Sequence, residues 1–182
     1  MAEIPSFFNK QDFFGVLLPG YLAVTLYLLL FQPDLLFTPA RTLSFDLFSA
    51  IVFIVAGPAI GLAISQFHRG LYYIIEWIEG KLGRGTSNPG FSENYAHVRL
   101  EANESEKLEL DATEAEYDFA MSTSLVFVTL GVYHLLLKGA SDFLVAVLLI
   151  VVGAVFVLGG ISERNDSYSP MVNELMKKYP RT

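Results

Sequence analysis

Glu93, His97 and Glu101 recur at intervals of four and would share one face of a helix. Carboxylates and an imidazole on one face can ligate zinc or iron. Metal-holding helix bundles, however, draw ligands from more than one helix and space Glu and His by three rather than four. A solvated face with a histidine between acids is the plainer reading, and neither a metal nor another cofactor is expected. His134 lies inside an apolar stretch, where a polar group is a functional candidate by default. Its place near the end of that stretch, beside Tyr133 and four residues before Lys138, suits an interfacial histidine as well. The "GRGTSNPG" run at 83–90 reads as a turn and linker, because its G-x-G follows no strand and lacks a third glycine. No H-E-x-x-H, P-loop, hydrolase motif or pair of intramembrane aspartates is present, which argues against an enzyme. The chain has no cysteine, so thiolate nucleophiles, thiolate metal sites and disulfides are excluded.

A second group of residues could shape a conduit or a helix contact. Ser122, Thr129 and Tyr133, at intervals of seven and four, make a mildly polar stripe that could line a pore or bond across helices. Pro19 and Gly20 interrupt "QDFFGVLLPGYLAVTLYLLLF", and Pro58 interrupts a second apolar run within "AGPAIG". Each proline frees a carbonyl four residues earlier, that of Gly15 and that of Ile54, and so predicts a kink or a gate. Gly57 and Gly61 form G-x-x-x-G, and Ala146, Gly153 and Gly160 recur every seven residues; both patterns let a second helix approach closely. The spacing leaves open whether that partner lies in the same bundle or in another subunit.

The elements that must position these residues are four apolar blocks, Phe13–Phe31, Leu47–Ser65, Phe119–Leu137 and Phe143–Ile161, none containing Asp, Glu, Lys or Arg. Each is 19 residues long, and about 20 apolar residues cross a bilayer as a helix. With 53% hydrophobic residues and a mean hydropathy of +0.45, the chain is expected to be an all-α integral membrane protein, a four-transmembrane-helix bundle. Its predicted organisation runs in four parts: spans one and two within 1–66, a cytosolic helical and acidic segment at 67–118, spans three and four within 119–161, and a cytosolic tail at 162–182. The leader "MAEIPSFFNKQD" has no cleavage pattern, so the first block is expected to stay in the membrane. Ten of the twelve basic residues fall on the side holding both termini and the central segment, leaving Arg41 and Lys138 opposite. That imbalance predicts that both termini are cytoplasmic. An aspartate precedes every block (Asp12, Asp46, Asp118 and Asp142), which suggests four side-chain helix caps.

The segment between spans two and three is expected to be helical. Residues 68–82 either lie along the membrane surface or extend span two. From Asn103, a cap with Glu104 and Glu106 in the first turn, one helix should run through 104–137, about 51 Å, projecting about 20 Å beyond the bilayer. Span two, this helix and their acidic residues Glu104, Glu106, Glu109, Glu114 and Glu116 would form a cytosolic stalk. A short helix follows Ser169-Pro170 and breaks at Pro180. The function expected first is a scaffold or partner-binding subunit, self-associating, whose acidic stalk docks a basic cytosolic protein surface. The alternative is an oligomeric ion channel or pore-forming membrane effector. The partners expected are therefore the lipid bilayer, further copies of the chain and a basic protein. A net charge of −7 makes nucleic acid an unsuitable partner.

Overall fold

A computed structural model describes residues 12–32, 47–82, 91–138 and 142–180, with side chains described for all of these except 47–53, 72–82 and 92. The leader before Asp12, Arg41, Asp46 and the predicted 83–90 linker lie outside the described residues. Among the described residues the chain is helical apart from Gln32, Ala102, Asn103, Tyr179 and Pro180, without strand. Helix α1 spans Leu18–Phe31 after a π-helical turn at Phe13–Leu17, and α2 spans Leu47–Leu82. Helices α3 (Phe91–Glu101) and α4 (Glu104–Lys138) follow. Then come α5 (Phe143–Glu163), a second π-helical turn (Arg164–Tyr168) and α6 (Ser169–Lys178). Three helical stretches among the described residues are long and apolar enough to cross a membrane: Phe13–Phe31, Glu104–Lys138 and Phe143–Lys178.

The two long helices settle what pattern alone left open. Residues 68–82 continue α2 without a break, so the extension is realised rather than a surface helix. The boundaries drawn at 66/67 and 118/119 fall inside continuous helices. Helix α4 starts where the cap predicts: Glu106 N donates to Asn103 Oδ1 at 3.0 Å, and Asn103 N donates to Glu106 Oε2 at 3.1 Å. This reciprocal box satisfies two orphan amides. Asn103→Ala should cost about 1 kcal/mol of stability, read as a lowered melting midpoint with unchanged helix content at low temperature. The aspartate caps turn out otherwise. Asp12 and Asp142 stand at N-cap positions without a side-chain cap bond, and Asp118 lies mid-helix in α4, where its carboxylate takes Arg69 instead.

Both prolines of interest sit within continuous helices, and each has a visible accommodation. A π-helical turn precedes Pro19, closed by Leu18 N donating to the Phe13 carbonyl. The second π-helical turn likewise ends two residues before Pro170, with Ser169 N donating to Arg164 O. A wider turn relieves the clash between the proline ring and the carbonyl four residues back. Pro58 stays in regular α-helix, and the Ile54 carbonyl it frees accepts a hydrogen bond from Tyr21 Oη at 3.3 Å. Gly57 makes room for that ring, since a Cβ there would sit 2.5 Å from Tyr21 Cδ1. Tyr21→Phe should therefore cost about 1 kcal/mol by leaving that carbonyl unpaired, measurable by reversible unfolding in mixed micelles.

The helices alternate in direction. Tyr21 on Ile54 and Val16 beside Gly61 run α1 antiparallel to α2, while Phe14 near Phe119 and Phe31 near Tyr133 run it parallel to α4. Gly20 packs on Gly57 and Gly61, joining α1 to α2 backbone to backbone. On α5, Ala146, Gly153 and Gly160 are all buried against α4 of the same chain. A Cβ on Gly153 would lie 2.6 Å from Val128 Cγ2, and one on Gly160 would lie 2.8 Å from Met121 Sδ. Beyond the apolar stretches, α3, the start of α4, the second π-turn and α6 form a small head. Its own core contains Phe91, Val98, Ala102, Leu110, Tyr168, Val172 and Leu175.

Candidate functional site

Where the head meets the apolar stretches, a cavity of about 500 Å³ opens between α2, α3, α4 and the second π-turn. Its level follows from the sequence: His68 comes three residues after Ser65, Asp118 immediately before Phe119, and Arg164 three residues after Ile161. The continuous helices α2 and α4 carry His68, Arg69, Glu114, Tyr117 and Asp118 to one place, α3 adds Tyr95 and Arg99, and the π-turn adds Arg164 and Tyr168. A π-helical turn re-aims side chains relative to the α-helix before it, and such turns recur at functional sites.

The charges interlock. Arg69 Nη2 donates to Asp118 Oδ2 at 3.1 Å and lies 3.8 Å from Glu114 Oε1. Arg99 Nη2 lies 3.0 Å from Asp111 Oδ1, while its Nη1 donates to Tyr95 Oη at 2.9 Å and lies 3.6 Å from Glu114 Oε2. Tyr95 donates its hydroxyl proton to Glu114. Burial first, then the Glu114 charge, pushes the Tyr95 phenol up, so it remains a donor. The walls are aromatic: Phe91 and Tyr95 pack edge-on against Tyr168, and Tyr117 stacks on it. The Arg164 guanidinium sits 5.9 Å over the Phe91 ring.

His68 is the residue that this network does not absorb. It is 5% exposed, and neither ring nitrogen has a hydrogen-bond partner among the described residues. Its Nδ1 is 3.8 Å from Asp118 Oδ1, and its ring lies 5.5 Å from that of Tyr117. Burial holds the imidazole below its ordinary 6.5 and outweighs the upward pull of Asp118, while Arg69 adds to the lowering. The folded state therefore binds this proton less tightly than the unfolded state does. The stabilisation is fully present above 6.5 and is lost as pH falls from there towards the lower folded value. Thermal midpoints of wild type and His68→Gln should accordingly diverge just below pH 6.5, with wild type losing more.

The residues singled out from sequence distribute as follows. Glu114 is in the cavity, and Glu106 is engaged by Lys178, by Tyr179 Oη at 2.9 Å and by the Asn103 cap. Only Glu104, Glu109 and Glu116 of the acidic set are exposed, so the expected uniform acidic face is divided. His97 is turned towards the tail, with Nε2 3.1 Å from the Tyr179 carbonyl oxygen. Among the described residues no group of three or more His, Asp or Glu is arranged to hold a metal. Ser122 is fully buried, whereas Thr129 and Tyr133 face outward, so the stripe does not share one buried face. His134 is buried at the opposite end of the bundle, 3.7 Å from Asp142 Oδ2. Pattern reading placed Asp118 among caps and counted Arg69, Arg99 and Arg164 among the basic residues of one side. The signal available was that Arg69, Asp118 and Arg164 all sit within four residues of a block end on one side.

This architecture defines an all-helical protein with helices able to span a membrane and, at their ends, a cavity lined by charged and aromatic side chains. Comparison with family models, with curated proteins and with solved structures returns no match.

Proposed function

We propose that the chain is a four-span membrane protein with both termini and the head on the cytoplasmic side, acting as a scaffold or partner-binding subunit rather than as an enzyme. The apolar 47–65 part of α2 lies beside α1 and supplies the fourth span, with Ile54, Val55, Ile60 and Leu62 exposed as lipid contacts. Orientation rests on the excess of basic residues at the head end. The observation that carries the scaffold reading is a head with its own apolar core that leaves Glu104, Glu109 and Glu116 exposed on one rigid helix. A fixed acidic surface suits a basic protein partner. A photocrosslinker placed at Glu109 in native membranes should give one discrete adduct with a basic protein, lost on charge reversal at Glu104 and Glu116. A reversed variant that inserts and still gives the same adduct would reject the reading.

The second reading, an oligomeric channel or pore-forming effector, is favoured by the outward position of Thr129 and Tyr133. In a ring of copies these side chains would meet a neighbour or an axis, as a conduit requires. Planar bilayers containing the pure protein should then conduct, with a conductance altered by Thr129→Val. Silence across the applied voltages would leave the scaffold reading alone.

A further inference from the structure

We propose that the cavity between α2, α3, α4 and the second π-turn is a receptor site for a phosphate monoester at the membrane surface, in which Arg69, Arg99 and Arg164 bind the phosphate and His68 completes its shell. This inference does not depend on the acidic surface of α4. Three guanidinium groups, delivered by three separate elements, line one cavity. A guanidinium fork matches phosphate oxygens in pairs, and a tetrahedral phosphate offers enough oxygens for several forks, which a planar carboxylate does not. The structure contains an internal example of an anion held this way. The Glu114 carboxylate lies between Arg69 and Arg99, at 3.8 and 3.6 Å, both longer than a tight ion pair.

The acidic residues do not cancel the site. Arg69 meets Asp118 and Glu114 through Nη2, Arg99 meets Asp111 through Nη2 and Tyr95 and Glu114 through Nη1, and each guanidinium carries five donors. The carboxylates therefore fix the direction of the forks without using all of them. Both arginine side chains are more than 40% exposed, so the remaining donors reach the opening. His68 supplies the second, independent pointer. It lines the same cavity, is buried, and has unused hydrogen-bonding capacity on both ring nitrogens among the described residues. A phosphate oxygen would accept from one of them. Phe91, Tyr117 and Tyr168 give the same cavity aromatic walls, and apolar surroundings strengthen charge–charge attraction.

Position gives the source of the phosphate. The cavity lies at the ends of three apolar stretches, the level at which lipid phosphates lie when such stretches cross a bilayer. A lipid headgroup and a soluble phosphate ester share the recognising chemistry, so the test has two arms. The full chain is placed in phosphatidylcholine nanodiscs and titrated calorimetrically with glycerol 3-phosphate. In parallel, nanodiscs doped with phosphatidic acid are analysed by native mass spectrometry for lipid retained on the protein. One-to-one saturable binding in the first arm identifies a soluble ligand, and retention confined to the second identifies a lipid headgroup. Arg164→Gln and Arg99→Lys should each weaken binding by about tenfold or more with helical content intact. Lys138→Gln, at the other end of the bundle, should change nothing. Absence of stoichiometric binding in both arms overturns the proposal. So does unchanged affinity in a folded Arg99→Lys protein, since that variant keeps the charge and loses only the fork.

Discussion

Arg69→Ala should cost about 3–5 kcal/mol, considerably more than removal of the acid it pairs with. The asymmetry comes from burial. The Asp118 side chain is 5% exposed, whereas that of Arg69 is 43% exposed. Without Arg69 the buried carboxylate loses its hydrogen-bonded guanidinium, with the His68 imidazole 3.8 Å away as a second basic neighbour. Without Asp118 the guanidinium turns outward and is hydrated, so Asp118→Ala should cost on the order of 1 kcal/mol. The double variant should be more stable than Arg69→Ala alone, because the orphaned charge is gone. Reversible unfolding of all three proteins in one bicelle system checks the order. Equal losses in the two single variants would mean that solvent reaches Asp118 far better than its position implies.

The contact between α1 and α2 should be the least tolerant of added volume. A Cβ on Gly20 would lie 2.7 Å from Gly61 N and 2.8 Å from Gly61 Cα, and closer still to the Gly57 carbonyl. These are backbone atoms in a second helix, so no rotamer change makes room. Gly20→Ala and Gly61→Ala should each destabilise by about 1–3 kcal/mol or more, at the upper end of overpacking costs. The double variant should cost less than the sum, since one separation of the helices relieves both clashes. Gly70 and Gly159 are internal controls, for an added Cβ meets nothing within 4 Å at either. Alanine there should be neutral or stabilising by up to about 1 kcal/mol through helix propensity alone. If Gly20→Ala behaves like Gly159→Ala, the two helices are not in backbone contact.

The same contact answers why proline and glycine interrupt an apolar run. Pro19 is accommodated by a widened turn, and Gly20, the next residue, packs on Gly57 and Gly61. The carbonyl that Pro58 frees is met by Tyr21, whose ring needs Gly57 to be small. Each irregularity in one helix is thus matched by a residue in the other.

By itself the sequence determined the local features of this protein. The lengths of the apolar blocks, the Asn103 cap with Glu106, the continuation of α4 to Lys138 and the small-residue face of α5 all depend on neighbours a few residues away. Helix periodicity, capping chemistry and hydropathy are properties of such short windows. Asp111, Glu114 and Asp118 also share a helix face by spacing, at intervals of three and four. What spacing could not supply was the identity of the cations opposite them. Those come from residues 69 and 99, on helices whose direction and depth are fixed only by packing. An acidic segment with its counter-charges elsewhere in the chain looks like a free acidic surface until the helices are placed. Tertiary structure alone therefore decided that part of the stalk is consumed in a cavity. It also set the partner of the α5 face as α4, and it buried Ser122 while leaving Thr129 and Tyr133 outside. The physical reason is that an ion pair or a helix crossing is a relation between two segments, and its energy depends on a distance that neither segment encodes alone.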